Sequence, residues 1–143
     1  MTAVRTARSY AGGQAEGAAL VLARELSFWG GLDAAAGRII DHSHPDLGKN
    51  MAGKILVMAG GRGSSSSSSV LAEAIRLGTG PAGIVLSRPD PIITVGSLVA
   101  ASLYGVLCPV VVCTIEGLRS GERLRIAAPE GGMARLERLP AVV

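Results

Sequence analysis

The chain has 143 residues, a formal net charge of +3, 48% hydrophobic residues and only 3% aromatic residues. This length predicts one domain spanning residues 1–143, and because it is short for a complete multi-step active site we expect a partner chain. The arginines are scattered, without a basic run or interleaved aromatic residues, which argues against a nucleic-acid-binding surface.

The predicted elements alternate between strand and helix. The N-terminal half has β character, with short apolar stretches at 17–22 and 37–40 and an exposed loop at 42–50. Further on, the pattern predicts a strand at 54–58, a glycine-rich turn at 59–63, a helix at 64–77, a strand at 83–86, a helix near 95–104, and strands at 109–113 and 123–127. This β-α-β-α-β order places the chain in the α/β class.

Six consecutive serines, Ser64 to Ser69, follow the turn Gly60-Gly61-Arg62-Gly63. Serine runs are typical of flexible linkers. This run, however, lies between a glycine turn and an amphipathic helix, where serine is a preferred capping residue. We therefore expect a helix N-terminus that begins at about Ser64.

A glycine turn before a helix N-terminus can bind an anion, because its backbone N–H groups are unpaired and the helix dipole favours negative charge. Arg62 adds a forked cation suited to a carboxylate. The lysine of a phosphate-binding loop, the G-x-G-x-x-G dinucleotide motif and the G-x-S-x-G motif of hydrolases are all missing from this segment. A triad assembled in space from His42 or His44 stays open, as does a serine that acts as a base beside a bound carboxylate.

Residues 91–115 contain no charged side chain and are long enough to span a bilayer. Gly96 and Pro109 interrupt the stretch, so we expect a buried helix and a buried strand instead of a membrane segment. Cys108 and Cys113 within it are predicted to be buried, reduced thiols and not a metal pair. With no recognisable signal peptide, the expected location is the cytoplasm.

The chain resembles the small, swivelling domain of the aconitase X family. The matching segments are Gly30-Gly31-Leu32-Asp33, Gly37-Arg38-Ile39-Ile40-Asp41, His44-Pro45-Asp46-Leu47-Gly48, Gly53-Lys54-Ile55-Leu56-Val57 and Gly61-Arg62-Gly63-Ser64-Ser65-Ser66. The glycine-arginine-glycine-serine turn is the specific part. More distantly, Gly63-Ser64-Ser65 is similar to the loop of isopropylmalate-type hydratase small subunits.

The resemblance implies a swivelling β/β/α domain that closes over a large subunit carrying an iron–sulfur cluster. It implies that Ser64 is the proton acceptor of a dehydratase, and Arg62, Gly63, Ser65 and Ser66 are the predicted substrate-binding residues. Ser65 or Ser66 can share the base role, because the serines extend further than is usual. No metal ligand is expected in this chain.

Enzymes of this family dehydrate cis-3-hydroxy-L-proline or phosphomevalonate, and the Ala- and Arg-rich composition favours the first. Two other functions stay open. One is a phosphocarrier module that uses His42 or His44, and the other is a small anion-binding domain without catalysis.

Overall fold

The computed structural model describes residues 3–141. Nine strands and three helices follow one another along the chain. They are β1 (Ala3–Ala11), β2 (Gly13–Val21), the single turn α1 (Phe28–Gly31), β3 (Leu32–Asp33), β4 (Arg38–Ile39), β5 (Ile55–Met58), α2 (Ser67–Leu77), β6 (Gly83–Leu86), α3 (Pro91–Tyr104), β7 (Val110–Val112), β8 (Arg123–Ala128) and β9 (Met133–Arg138).

Seven of the strands close into a barrel in the order β1-β7-β6-β5-β2-β8-β9. Neighbouring pairs among β2, β5, β6 and β7 are parallel, whereas β1, β8 and β9 make only antiparallel pairs. The short strands β3 and β4 form a separate hairpin. The parallel half therefore has one edge at which all its carboxyl ends meet, and that edge positions the candidate site.

The parallel strands are buried on both faces, which explains why they are continuous apolar runs. Along β5, Ile55 and Val57 pack in the barrel interior with Leu124 and Ile126 of the antiparallel strand β8. Their neighbours Leu56 and Met58 pack on the other face, in the cluster that also holds residues of α2 and α3. The two helices thus form a layer that covers the parallel half of the barrel.

Helices α2 and α3 pack closely at Gly96. A Cβ atom at this position would lie 2.9 Å from the carbonyl oxygen of Ser68 and 3.1 Å from Cδ2 of Leu71. The absence of a side chain therefore allows the two helices to approach. Helix α3 begins at Pro91 after the cap Asp90, and it ends at Gly105, which has a φ of 67°.

The α/β class expected from the sequence is confirmed, and most predicted strands are present within one or two residues of their expected bounds. Two helix starts differ. Helix α2 begins at Ser67 and not at Ser64, because Ser64 and Ser65 form a turn before it. Helix α3 begins at Pro91, four residues before the expected Val95, because the Asp90 side chain caps it. Strands β1 and β9 were missed. The buried residues of β1 are small, and β9 has only two buried apolar residues.

Within residues 3–141, every helix is too short or too polar to cross a membrane. The charge-free stretch at 91–115 instead forms helix α3 and strand β7. The expected buried strand is confirmed, but the expectation of a buried helix is wrong for one face of α3, because only its other face packs on the fold and Leu98 and Leu103 are exposed.

Replacing Gly96 with Ala should destabilise the fold although alanine is the better helix former. Alanine gains about 1 kcal/mol of helix propensity, but forcing a methyl group against the Ser68 carbonyl costs about 1–3 kcal/mol. Urea unfolding followed by circular dichroism should show a lower midpoint for Gly96→Ala. Ser102→Ala, at an exposed position of the same helix, is the matched control and should be neutral or slightly stabilising. A Gly96→Ala protein as stable as that control would contradict the packing argument.

Candidate active site

Three loops meet at the carboxyl ends of the parallel strands. They follow β2, β5 and β6 and comprise residues 22–29, 59–66 and 87–90. Ligands in open α/β sheets bind outside this edge, because loops from neighbouring strands converge there. The glycine turn and the exposed serines that the sequence singled out belong to the second of these loops.

Backbone groups of the glycine turn are held by both flanking loops. The N–H group of Gly61 donates to Asp90 Oδ2 at 2.8 Å, and the N–H group of Arg62 donates to the carbonyl oxygen of Leu26 at 3.2 Å. A Cβ atom at Gly61 would lie 2.7 Å from the same Asp90 oxygen, so this position requires glycine. The turn is therefore fixed at its base, and the residues after it project beyond the anchored segment.

Ser67 and Ser68 have structural contacts. The Oγ atom of Ser67 accepts the N–H group of Trp29 at 3.0 Å, and the Oγ atom of Ser68 donates to the carbonyl oxygen of Ile92 at 2.6 Å. Ser67 is buried, and these two bonds attach the start of α2 to α1 and α3. The second half of the serine run thus begins the helix, and within it Ser67 also lines the small cavity behind Gly61 and Arg62.

Ser64, Ser65 and Ser66 are exposed at the tip of the turn. The Oγ atom of Ser64 accepts the N–H group of Ser66 at 3.2 Å, and the carbonyl oxygen of Ser64 accepts the N–H group of Ser67 at 3.0 Å. Gly63 has a φ of 80°, a conformation that turns the chain sharply before Ser64. Ser64 therefore caps the turn that leads into α2 while its hydroxyl proton stays available.

Within residues 3–141, the N–H groups of Gly63, Ser64 and Ser65 donate no hydrogen bond. Three successive unpaired donors are suited to an anion such as a carboxylate. The predicted cradle is therefore the turn before α2, three residues earlier than the first residue of the helix.

Arg62 is exposed and makes no ion pair within the described part of the chain. Arg62 also influences Asp41 in the neighbouring loop. The hydroxyl and N–H groups of Ser43 lower the pKa of Asp41 by hydrogen bonding, and the charge of Arg62 lowers it further by a smaller amount. A second guanidinium, that of Arg88, lies against Gly60 and pairs with Glu25 at 3.2 Å. Glu25 thus balances the charge of Arg88, and the cation at the mouth of the site without an ion-pair partner among the described residues is Arg62.

His44 has a structural role. It is buried, its Nδ1 atom accepts the N–H group of Asp46 at 3.0 Å, and its Nε2 atom donates to the carbonyl oxygen of Arg24 at 3.0 Å. These two bonds define the neutral tautomer with the proton on Nε2. His42 is exposed on the same loop. Neither histidine contacts Ser64 by a hydrogen bond, so the spatial triad that the sequence left open does not form here.

The donors in residues 3–141 do not fit an iron–sulfur cluster, because no three His, Cys, Asp or Glu side chains in this part of the chain are grouped for metal binding. Cys108 and Cys113 are free. Burial raises the pKa of the Cys108 thiol to about 12, and its Sγ atom donates to the carbonyl oxygen of Pro81. Metals bind the thiolate, so this buried thiol is a poor ligand.

Asp90 is the functional residue that the sequence analysis missed. Its Oδ1 atom accepts the N–H groups of Ile92 and Ile93 at 3.0 and 3.1 Å, while Oδ2 holds Gly61. An aspartate followed by proline is a helix-start signal that could have revealed the cap. The link to Gly61 spans 29 residues and has no local signature.

These features define the class of the protein: a closed β/α barrel domain with a glycine-serine turn at the carboxyl ends of its parallel strands. Residues 4–134 match the family model described as the aconitase X swivel domain. The chain belongs to this family, and the swivel fold expected from the resemblance is confirmed.

A crystal structure of Thermococcus kodakaraensis aconitase X in its holo form superposes with a TM-score of 0.83 at 29% identity, over 95% of this chain and 99% of that chain. The cis-3-hydroxy-L-proline dehydratase of Hypocrea jecorina is 39% identical over 124 residues, which are 87% of this chain and 21% of that protein. The phosphomevalonate dehydratase small subunit of Thermococcus gammatolerans is 33% identical over 91% of this chain and 95% of its own length. The chain thus spans about a fifth of the Hypocrea relative and nearly all of the Thermococcus relative.

Replacing Asp90 should separate its two contacts. Asp90→Ala removes the cap of α3 and leaves the Gly61 N–H group without its partner, a combined loss of about 2–3 kcal/mol in the free energy of unfolding. In Asp90→Asn the single carbonyl oxygen can serve α3 or Gly61 but not both, so about half of this loss is expected. Chemical unfolding measures both variants, and equal stability of the wild type and Asp90→Ala would contradict the assigned role.

A second prediction concerns the acid stability that Asp46 provides. Burial alone would raise the pKa of Asp46, but Lys49 Nζ at 2.8 Å from Oδ1 and the N–H group of Ala23 at 2.8 Å from Oδ2 hold the pKa below its ordinary value. A lowered pKa means that the folded protein binds this proton less readily than the unfolded chain does. The stabilisation is therefore present above the ordinary aspartate value of about 3.9 and is lost as the pH falls through the lower folded value.

In Asp46→Asn this part of the acid dependence should vanish, and the variant should be less stable than the wild type at pH 7 by about 1–3 kcal/mol. Unfolding midpoints measured from pH 7 to pH 2.5 test both statements. Asp33→Asn, at a β3 aspartate without an ion pair among the described residues, removes the same charge and is the control. Parallel pH profiles for the wild type and Asp46→Asn would contradict this account.

Proposed function

We propose that this chain is the small subunit of an aconitase X dehydratase and that Ser64 removes the α-proton of a hydroxy-carboxylate substrate. One observation carries the proposal. In a chain of this family, the exposed Ser64 hydroxyl follows Arg62 and lies among the unpaired N–H groups of Gly63, Ser64 and Ser65. That turn combines a carboxylate site with a proton acceptor within four residues.

In this proposal the unpaired N–H groups and the Arg62 guanidinium bind the substrate carboxylate. Ser65 and Ser66, exposed beside Ser64, contribute hydroxyl groups to the same mouth. A carboxylate held there brings its own α-carbon close to Ser64, because one bond joins the two carbon atoms. Binding and proton removal thus use the same short segment.

Proton removal requires Ser64 as the alkoxide, since a neutral hydroxyl is a poor base. The Ser66 N–H group, the unpaired donors of the turn and the nearby guanidinium all stabilise negative charge on Oγ. The proton then moves from Cα to Oγ, and the electron pair of the Cα–H bond forms the carbon–carbon double bond. The β-hydroxyl group leaves with the electron pair of its Cβ–O bond, and the proton held on Ser64 Oγ passes to it, so that water forms and the alkoxide is restored.

The remaining machinery belongs, in this proposal, to a large subunit. The relative in Thermococcus gammatolerans is itself called a small subunit, and the Hypocrea jecorina relative carries about four-fifths of its length beyond the matched region. The iron–sulfur cluster that the family resemblance implies would be held by that partner. The single domain at 1–143 and the cytoplasmic location stay predictions.

We propose cis-3-hydroxy-L-proline as the substrate, with pyrroline-2-carboxylate and water as products. Sequence identity does not separate the two substrates, because the Hypocrea jecorina relative is 39% identical over 87% of this chain and a phosphomevalonate dehydratase small subunit of Methanopyrus kandleri is 46% identical over 57% of it. The Ala- and Arg-rich composition favours the proline substrate. Phosphomevalonate is the alternative. Both molecules have a carboxylate for the turn, so assays with the two substrates decide between them.

The phosphocarrier function receives less support from the geometry. Phosphotransfer needs an accessible ring nitrogen, and both nitrogens of His44 are used in hydrogen bonds inside the fold. His42 is exposed, but it lies outside the glycine turn. Incubation with a phosphohistidine donor should leave both histidines unmodified.

Ser64→Ala is the decisive variant. It should lower kcat by about a hundredfold to ten-thousandfold, the usual contribution of a positioned base, while the complex with the large subunit still assembles. Ser69→Ala is the matched control, because Ser69 is exposed in the same run but lies inside α2, and it should retain wild-type turnover. Full activity of Ser64→Ala would overturn the proposed role.

Ser65→Ala and Ser66→Ala show whether the base role is shared. If Ser64 alone acts, each should change kcat by less than about tenfold, and any loss should fall mainly on KM. A loss in kcat for Ser65→Ala as large as that for Ser64→Ala would assign the role to the pair.

A further inference from the structure

The outward face of helix α3 is mostly apolar, with Ser102 and Tyr104 as its exposed polar side chains. Its buried face packs on α2 and the barrel through Ile93, Gly96 and Ala100. The opposite face and the residues just after the helix expose large apolar side chains. They are Val95 (47% exposed), Leu98 (48%), Val99 (36%), Leu103 (67%), Val106 (39%) and Leu107 (59%). We call this surface the α3 face.

Residues 91–115 contain no charged side chain. The Arg76 guanidinium of α2 lies 6.0 Å from the ring centroid of Tyr104, at the C-terminal end of α3. Helix α2, in the same layer, differs: its outer side has the exposed ion pair between Arg76 and Glu73 at 2.6 Å. A helix that faces water normally has such residues, whereas contiguous apolar surface marks an interface. The depletion of charge is typical of a contact that stays buried and not of a transient encounter.

A groove runs beside the α3 face. Leu98, Ala101 and Leu107 line one side of it, and Tyr10 and the turn at 130–131 line the other. Its opening next to two exposed leucines suits an apolar side chain of a partner, with Glu130 at the rim. The groove and the helix together form one continuous surface.

The α3 face is rigidly connected to the candidate active site. Asp90 caps the first turn of α3 and also binds the N–H group of Gly61, so the helix and the glycine turn keep one relative position. A protein lying along α3 would therefore hold Ser64 at a fixed place relative to itself. The partner that supplies the rest of the active site must hold Ser64 at such a fixed position.

We infer that the α3 face is the permanent docking surface for the large subunit. Chain length identifies the occupant. About four-fifths of the Hypocrea jecorina relative lies outside the matched region. In that protein the segment equivalent to this chain is therefore joined to a much larger part of the same polypeptide. A partner that is always bound explains why this surface has few charged side chains. The inference rests on the proposed function in that it takes the large subunit as the partner.

The test is assembly of the full chain with its large subunit, defined as the protein of the same organism that is homologous to the remaining four-fifths of the single-chain relative. Leu98→Lys and Leu103→Lys each place a charge on the α3 face at positions exposed in this chain, so folding should be unaffected. Affinity measured by sedimentation should fall by at least about thirtyfold for each variant, because an unpaired lysine would be buried on binding.

Val4→Lys is the control. Val4 is 46% exposed near the start of β1, six residues and so about 20 Å along the strand from Tyr10 at the groove, and it lies opposite Glu137 on β9, which can pair with the new lysine. This variant should bind the large subunit like the wild type. Circular dichroism spectra of all three variants should match that of the wild type.

Binding of Leu98→Lys and Leu103→Lys within about twofold of the wild type would overturn the inference. The same holds if the variants only convert a self-associated chain into monomers while the complex persists, because the occupant would then be a second copy. A failed Ser64 assignment is recognised separately, since Ser64→Ala is read by turnover in an assembled complex. A wild-type chain that does not bind the large subunit would overturn both the docking surface and the proposed partnership.

Discussion

The carboxylate of Asp90 fixes the relationship on which the candidate site depends. One of its oxygens accepts two N–H groups at the start of α3, and the other accepts the N–H group of Gly61. A neutral side chain has too few acceptors for all three donors in this geometry. Because the β5–α2 turn and helix α3 share one carboxylate, the position of Ser64 is set by a residue 26 positions later in the sequence.

This arrangement explains the composition of the serine run. A turn that must bind an anion needs exposed hydroxyl and N–H groups, whereas the helix that follows must be attached to its neighbours. Ser64, Ser65 and Ser66 remain exposed for the first purpose, and Ser67 and Ser68 use their hydroxyl groups for the second. Serine serves both because its side chain is small enough for a buried contact and polar enough for an exposed turn.

The sequence was sufficient for local features and insufficient for contacts between distant segments. The apolar strand β6 was predicted with its observed bounds, since a strand buried on both faces is an unbroken apolar run. Strand β1 was missed because its buried residues, Ala7, Ser9 and Ala11, are small, and it is defined by pairing with β7 and β9, both about 100 residues or more later in the chain. The glycine turn was recognised from its residues, but its anchor at Asp90 depends on the fold and could not be.

The polar turn and the apolar α3 face meet different requirements. A site that admits substrate must be open and hydrated before binding, so its residues are exposed and either charged, as Arg62 is, or polar, as Ser64 is. A surface that binds a partner permanently has few charged groups, because such groups would lose their hydration on binding. In this chain the two surfaces lie at neighbouring positions joined by Asp90. A partner bound along α3 would leave the turn free to receive the substrate. It would also fix the position of Ser64 relative to the partner. A residue of one chain can serve as the base in a site built by two chains only if its position is fixed in this way.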